Sequence, residues 1–237
     1  MLIIVPAREG SKGLPGKNIR DFCGHALIDW SLSAALYLQE KIGGASVQVT
    51  TDCPMILALV ARKYGNKITA RKRPAVLSSD TAAMADVVLD AADFSGMGRV
   101  GRYVLLQPTS PLRLLSDLEN FAKHATMMGA QVSCTRPVED PHDLIDITNG
   151  KPLVAAQPTT RRQDHSSYLR FVDGSLYAGD LTQLAKTRSF MPTQKTAFVP
   201  LDIPRAIDID TALDWHMGLA LYDWLIKKEV PFVRPAP

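Results

Sequence analysis

Four basic side chains (Arg8, Lys12, Lys17 and Arg20) stand against one acid, Glu9, between residues 8 and 20, and Gly10, Gly13 and Gly16 recur at every third position among them. Glycine lets backbone N–H groups close on a bound group. Successive N–H groups make an anion cradle, and lysine and arginine add countercharge. The chemistry this composition suits is the holding of a polyphosphate. A Walker loop is excluded: Gly16-Lys17 is followed by Asn18 where a magnesium-binding hydroxyl is needed, and five residues separate Gly10 from Gly16. The dinucleotide fingerprint is excluded by the glycine spacing and by the basic residues inside the loop. The competing reading is a glycine-rich turn with solvated lysines.

Asp208 and Asp210 lie two apart on a strand-like stretch, so both carboxylates are expected on one side. Two hard oxygen ligands suit magnesium held jointly with phosphates. Alone, the pair reads more readily as a helix cap and a solvated charge; beside a phosphate loop it reads as a metal site. Gln107, at the end of an apolar run, offers donor and acceptor together, as sugar hydroxyls and an N-acyl group require. A proline-rich turn with an exposed glutamine is the equal alternative. Arg161-Arg162 could clamp a carboxylate bidentately or be a surface pair. Residues 62–73 hold six basic side chains and no acid, which usually means a solvated face. The five histidines are scattered, with no HExxH and no GxSxG, and His25, His124 and His216 read as structural.

These groups need a scaffold, and the hydropathy pattern supplies one. Residues 2–5 read as a buried strand that empties into the basic loop. Ile28, Leu32, Ala35 and Leu36 mark a helix ending before Gly43-Gly44, and residues 47–51 alternate like a strand. Pro54 opens a second helix running to Tyr64, and residues 67–71 form a short strand. Met84, Val87, Val88 and Ala91 give a third helix, capped near Ser79 or Asp80. Residues 103–106 are a further strand, Ser116-x-x-Glu119 reads as a capping box, and residues 131–135 are strand again. This βα alternation predicts an α/β fold with a mostly parallel sheet and helices on both faces.

The rhythm breaks at residues 136–172, where prolines punctuate short strand-like pieces, so this segment reads as a β-rich inserted arm. Residues 1–135 and 173–237 then form the main domain. Its later elements are strands at 175–178 and 196–199 and a helix carrying Leu213, Met217, Leu221, Trp224 and Leu225, capped by Thr211-x-x-Asp214. The proline-rich tail after Val230 reads as loosely held.

A net charge of +3 is too small to argue for nucleic acid, and the 62–73 patch interleaves only Tyr64, so base stacking is poorly provided for. Three distant cysteines without CxxC or Cys/His metal spacing point to a reducing cytoplasm. The apolar start is too short for a signal core, and no run nears the ~18 apolar residues of a membrane span.

At the loop the chain resembles a known family. Pro6-Ala7-Arg8-x-Gly10-Ser11-Lys12-Gly13-Leu14-Pro15-Gly16-Lys17-Asn18-Ile19 is similar to the N-terminal signature of the acylneuraminate (sialic acid) cytidylyltransferases, the CMP-sugar synthetases. Four more strings follow in family order. They are Arg73-Pro74 with Leu77-x-x-Asp80; Gln107-Pro108-Thr109-Ser110-Pro111-Leu112-Arg113; Thr160-Arg161-Arg162-Gln163-Asp164 with Tyr168 and Asp173-Gly174-Ser175-Leu176-Tyr177; and Asp208-Ile209-Asp210-Thr211.

The resemblance implies a Rossmann-like nucleotidyltransferase sheet with a dimerisation arm, a homodimer, and transfer of CMP from CTP to a nine-carbon 2-keto sugar acid. It implies Arg8, Lys12 and Lys17, with the backbone around Ser11 and Gly13, for the phosphates. Asn18, Arg73 and Ser79 go to the nucleoside, with Arg71 and Ser78 as alternative counterparts of the last two. Gln107, Arg162 and Tyr168 go to the sugar, and Asp208 and Asp210 to magnesium. Arg8, Lys17, Asp208 and Asp210 are the expected catalytic set. No nucleic acid or membrane partner is implied.

Departures from the family pattern are Asp173 for asparagine, Ser175-Leu176 for a small residue plus isoleucine, and His165-Ser166-Ser167 where Leu-Pro-Lys is common. They bear on the sugar side chain more than on the reaction. Synthetases for the eight-carbon acid KDO carry Gln-Gly-Asp where this chain has Gln107-Pro108-Thr109, which favours a nine-carbon acid. The rivals are a KDO or other sugar nucleotidyltransferase, and a non-catalytic nucleotide- or RNA-binding module.

Overall fold

The computed structural model describes residues 1–10, 13–154, 169–192, 196–204 and 206–236. The unbroken apolar run at the start forms β1 (Leu2–Ala7), an interior strand buried along its whole length. A small hairpin of β2 (Asp21–Phe22) and β3 (His25–Ala26) leads into α1 (Leu27–Ile42). Then come β4 (Ser46–Thr51), α2 (Pro54–Lys63), β5 (Thr69–Lys72), α3 (Met84–Phe94), β6 (Arg102–Leu106), α4 (Leu115–Ala125) and β7 (Ala130–Thr135). A second hairpin, β8 (Ile145–Asp146) and β9 (Lys151–Pro152), precedes β10 (Phe171–Asp180), α5 (Leu181–Thr187), β11 (Thr196–Pro200) and α6 (Ala212–Lys227).

Seven strands make one sheet in the order β11-β7-β10-β6-β1-β4-β5. Neighbours run parallel except β10, which is antiparallel to both β6 and β7. Side chains of β1 alternate between two cores. Ile3 and Val5 pack with α1, α2 and α4 on one face, and Leu2 and Ile4 pack with α3 and α5 on the other. The chain leaves β1 toward β4 and returns to place β6 on the opposite side of β1. That reversal opens a crevice at the strand ends, where open α/β sheets bind ligands.

A third cluster stands beside the sheet. Trp30 is its centre: edge-on to Phe22 at 5.8 Å, stacked on Phe232 at 6.2 Å, and donating through Nε1 to Phe22 O at 3.0 Å. Trp215 and Leu225 of α6 join it, as do Ile207 and Ile209 just before that helix.

Several local expectations change. The tail is not loose: Phe232 and Val233 are buried, Val233 N donates to Arg113 O at 3.0 Å, and Leu115 N donates to Pro231 O at 3.1 Å. The aromatic at position 232 fills the Trp30 cluster, and that burial outweighs the prolines around it. Ser116 does not cap α4, which starts one residue earlier behind Leu114 with no side-chain cap. Glu119 instead accepts from the Tyr37 hydroxyl at 2.6 Å and pairs with Lys41. The helix α3 starts after Ala83 with no side-chain cap, and Asp80 pairs with Arg8 instead. Asp208 and Asp210 lie outside any strand, although burial alternates as expected, with Ile207 and Ile209 inside and both aspartates exposed. The Thr211–Asp214 capping box of α6 is present. β10 begins at Phe171, two residues inside the stretch read as the arm, and of that stretch residues 155–168 lie outside the described residues.

Candidate active site

A cleft of about 430 Å³ opens at the carboxyl ends of β1 and β6. Seven of the residues singled out from the sequence line it: Arg8, Gly13, Lys17, Asn18, Arg73, Gln107 and Asp210. They come from positions as far apart as 8 and 210, and the strand order brings them together.

The basic loop supplies one wall. Gly16 takes a left-handed conformation (φ +65°) and starts a short 3-10 turn, Lys17–Ile19, that buries Lys17 and Asn18. Lys17 Nζ donates to Ile209 O at 2.8 Å and to Asp210 Oδ1 at 2.5 Å. The Asp210 side chain stays 67% exposed, so it has room for another partner. A Cβ at Gly13 would overlap the Asp210 carbonyl, so only glycine lets the loop lie against that segment. Asn18 Nδ2 donates to Arg8 O at 3.1 Å, while Asn18 Oδ1 is buried without a hydrogen-bond partner among the described residues. An orphaned acceptor beside a cleft is a place for a ligand donor.

Arg8 reaches from the end of β1 to pair with Asp80, in the loop before α3. Arg73 is 5% exposed and donates from Nη2 to Thr50 O at 2.5 Å. Burial pushes its guanidinium below the usual range, and the charges of Asp52 and Asp90 oppose that. The other basic residues of the 62–73 run do not share one face of contacts. Lys63 pairs with Asp29, and Arg71 with Asp90 while lying over the Phe94 ring; Arg62, Lys67 and Lys72 are exposed.

The opposite wall is Gln107-Pro108-Thr109. Gln107 O accepts from Arg113 Nη2 at 2.8 Å, from Ser31 Oγ at 3.1 Å and from Ser110 N at 3.3 Å. Gln107 N donates to Ser175 O at 3.3 Å. Asp173 of β10 accepts from Ser133 Oγ at 2.6 Å and Ser175 N at 2.7 Å, and its Oδ2 is buried without a partner among the described residues. Burial raises its carboxyl above the ordinary range, against those two donors.

Two expected residues stand apart from the cleft lining. Ser79 is exposed and shares a hydrogen bond with Thr81 Oγ1 at 3.3 Å. Asp208 is exposed, and its charge, with that of Asp173, raises the Tyr177 hydroxyl already raised by burial. Ser11, Lys12, Arg162 and Tyr168 lie outside the described residues.

Sequence reasoning missed Met84 and Thr211 in the cleft wall, and missed Asp52, whose Oδ1 accepts from Glu9 N at 2.9 Å. It also gave no role to Arg113 and Asp117, which lie behind the wall. Asp117 is 3% exposed and accepts from Asp202 N and from Ile203 N, the latter at 3.1 Å. Burial pushes its carboxyl up to about 6, against those backbone donors. The usable signal was an arginine and an aspartate four apart in a stretch with two prolines, where backbone groups lack partners.

Among the described residues no group of three or more His, Cys, Asp or Glu could hold a metal. A magnesium ion shared with phosphates asks for less, one or two protein carboxylates. Asp210, exposed in the cleft wall, fits that requirement, with Asp208 two residues before it.

Comparison with known proteins gives three findings. A family model described as cytidylyltransferase matches residues 2–188. Among curated relatives, the CMP-N,N'-diacetyllegionaminic acid synthase of Legionella pneumophila subsp. pneumophila is 30% identical, over 92% of this chain and 94% of that protein. An N-acylneuraminate cytidylyltransferase of Streptococcus agalactiae serotype III is 27% identical over 96% of this chain, but this chain spans only 55% of that longer protein. Among solved structures, a CMP:2-keto-3-deoxy-manno-octonic acid synthetase in complex with CTP superposes with a TM-score of 0.61 at 20% identity, covering 94% of this chain and 98% of that one. A 4-diphosphocytidyl-2C-methyl-D-erythritol synthase gives 0.63 at 10% identity, covering 94% and 98%. At these identities the structural matches speak for the fold.

Proposed function

Because the chain belongs to the cytidylyltransferase family, we propose that it transfers CMP from CTP to the anomeric hydroxyl of a nine-carbon 2-keto sugar acid and releases pyrophosphate. The observation that carries this reading is the single cleft that gathers Arg8, Lys17, Arg73, Gln107 and Asp210 at the β1 and β6 strand ends.

In this reaction the acceptor oxygen forms a bond to the α-phosphorus and the bond to the pyrophosphate oxygen breaks in line. The hydroxyl proton is lost to solvent or to a phosphate oxygen. Charge grows on the α-phosphoryl oxygens and the leaving group, so catalysis is mostly positioning and electrostatics. Lys17 and Arg8 face that charge, and Lys12 with the loop N–H groups around Ser11 and Gly13 joins them. Asn18 and Arg73 hold the nucleoside. Gln107 meets the acceptor with a donor and an acceptor on one amide, helped by Arg162 and Tyr168.

Asp210, with Asp208, would hold magnesium; when bound, the ion neutralises phosphate charge and makes a nearby hydroxyl more acidic. Two of the cations already have an anionic partner without substrate: Lys17 has Asp210 and Arg8 has Asp80. Phosphates therefore enter by exchanging partners. We further propose a homodimer joined through the arm. We place the reaction in the cytoplasm, in keeping with three free cysteines, Cys23, Cys53 and Cys134. Among the described residues no helix is long and apolar enough to cross a membrane.

The test is pyrophosphate release with CTP, magnesium and a panel of nine-carbon 2-keto acids plus KDO. Release with a nine-carbon acid is expected. Release with KDO alone would overturn the acceptor, and tight CTP binding with no release would leave only the nucleotide half.

A further inference from the structure

We propose that Arg113 and Asp117 are positioning residues, a buried bracket that fixes Gln107 and the aspartate-bearing segment relative to each other. The proposal rests on the reaction read above.

Arg113 is 2% exposed and aims its fork at the neighbourhood of Gln107. Nη2 donates to Gln107 O at 2.8 Å and to Ser175 O at 3.2 Å, and Nε donates to Ser175 Oγ at 3.1 Å. Nη1 donates at 2.9 Å to Ser31 Oγ, which itself donates to Gln107 O. The turn needs outside donors because Pro108 and Pro111 bring no N–H of their own.

Asp117 works the other way. It takes the N–H groups of Asp202 and Ile203, at the head of the segment that runs on to Asp208 and Asp210. The two halves are then tied directly: Ile209 N donates to Thr109 O at 2.8 Å. Ser110, Arg113, Asp117, Ser175, Ile203 and Ile207 enclose a void of only about 10 Å³, so the bracket has little slack.

An apolar filler would hold these elements together with less desolvation cost than two buried charges. What apolar contacts do not do is fix backbone oxygens and N–H groups in direction. Here the atoms fixed are those that carry Gln107 and the aspartates.

Arg113→Lys keeps charge and bulk but loses the fork, and Asp117→Asn keeps shape but turns one acceptor into a donor. Ser175→Ala removes only one acceptor of Arg113 and serves where a larger change prevents folding. In Arg113→Lys the KM for the acceptor acid should rise about tenfold or more, the scale of a small misplacement, with the KM for CTP nearly unchanged. Ser175→Ala should move the same way by less. In Asp117→Asn the half-saturating magnesium concentration should rise by a similar factor.

Amide hydrogen exchange, which needs no turnover, should quicken at Gln107 in Arg113→Lys and at Asp202, Ile203 and Ile209 in Asp117→Asn, with β1 and β4 unchanged. Exchange that quickens evenly across the sheet, with both KM values unmoved, would reduce the pair to structural residues and overturn the proposal. A wild type inert toward every acid overturns the acceptor reading, while the exchange pattern still decides the bracket.

Discussion

The two lips of the cleft handle charge in opposite ways. On the β1 lip the charged groups line the cleft and are paired with exposed partners: Lys17 with an Asp210 side chain that is 67% exposed, and Arg8 with a half-exposed Asp80. On the β6 lip the group presented is a neutral amide, Gln107, and the charges stand behind it, in Arg113 and Asp117, out of solvent. The Arg8–Asp80 pair, open on both sides, exchanges at little cost, about 0–1 kcal/mol, and at Lys17, itself buried, it is the Asp210 partner that is open to exchange. Breaking a buried charged group's contacts costs about 3–5 kcal/mol. The first lip is built to swap partners when phosphates arrive, and the second is built to stay in place.

The contrast is sharpest at Asp210. Asp210→Asn should bring magnesium-dependent pyrophosphate release down to background while the thermal midpoint stays near wild type. A variant that lost only thermal stability would make Asp210 a structural residue and move it to the other lip. Lys17→Ala should cost roughly 100-fold or more in turnover, the scale of one transition-state donor. Near-normal turnover would remove Lys17 from the phosphates.

The rigid lip is tested by pH. The Asp117 carboxyl is raised from 3.8 to about 6 in the folded chain. The folded chain thus holds that proton more tightly than the unfolded chain. The stability it brings is present below about pH 4 and lost as pH rises through about 6. The displacement is worth on the order of 3 kcal/mol. Denaturant unfolding between about pH 4 and pH 7 should show wild type losing stability relative to Asp117→Asn across that window. Parallel profiles would mean that Asp117 is not buried as described. The smallest effect is expected at Asp80→Asn, which should change stability by less than about 1 kcal/mol, read from the same denaturation curves. A larger loss would mean that the β1 lip is braced too.

The difference between the lips also explains what could be read from the sequence. The β1 loop announces itself because its charges interrupt an apolar run and must meet either solvent or a ligand. Strands β1, β4, β6 and β7 and helices α1 and α3 follow from runs and periods long enough to register, α2 from its opening proline, and α4 from a capping signal that the structure does not use. The hairpin strands β2 and β3 have two residues each and α5 has seven, too few for a period to emerge. That β10 runs antiparallel is a fact of pairing, which no single segment encodes. Asp208 and Asp210 are alike in type and neighbourhood, yet only Asp210 lines the cleft, because the loop closes against it at Gly13. Arg113 and Asp117 were passed over for a related reason. A charge in a sequence reads as solvated until its distant partners, such as Ser175 and Ile203, are known.

The tail gives one more consequence. Residues 231–233 add a short pairing to the 113–115 segment, through Val233 N on Arg113 O, Leu115 N on Pro231 O and the bridge between Leu114 and Phe232. Phe232 is pinned in turn between the rings of Trp30 and Tyr222. Mechanical load on the C-terminal strap is therefore delivered to the residue before α4 and, through Arg113, to the carbonyl of Gln107. Tension there would act on the acceptor half of the cleft before it reached the phosphate half.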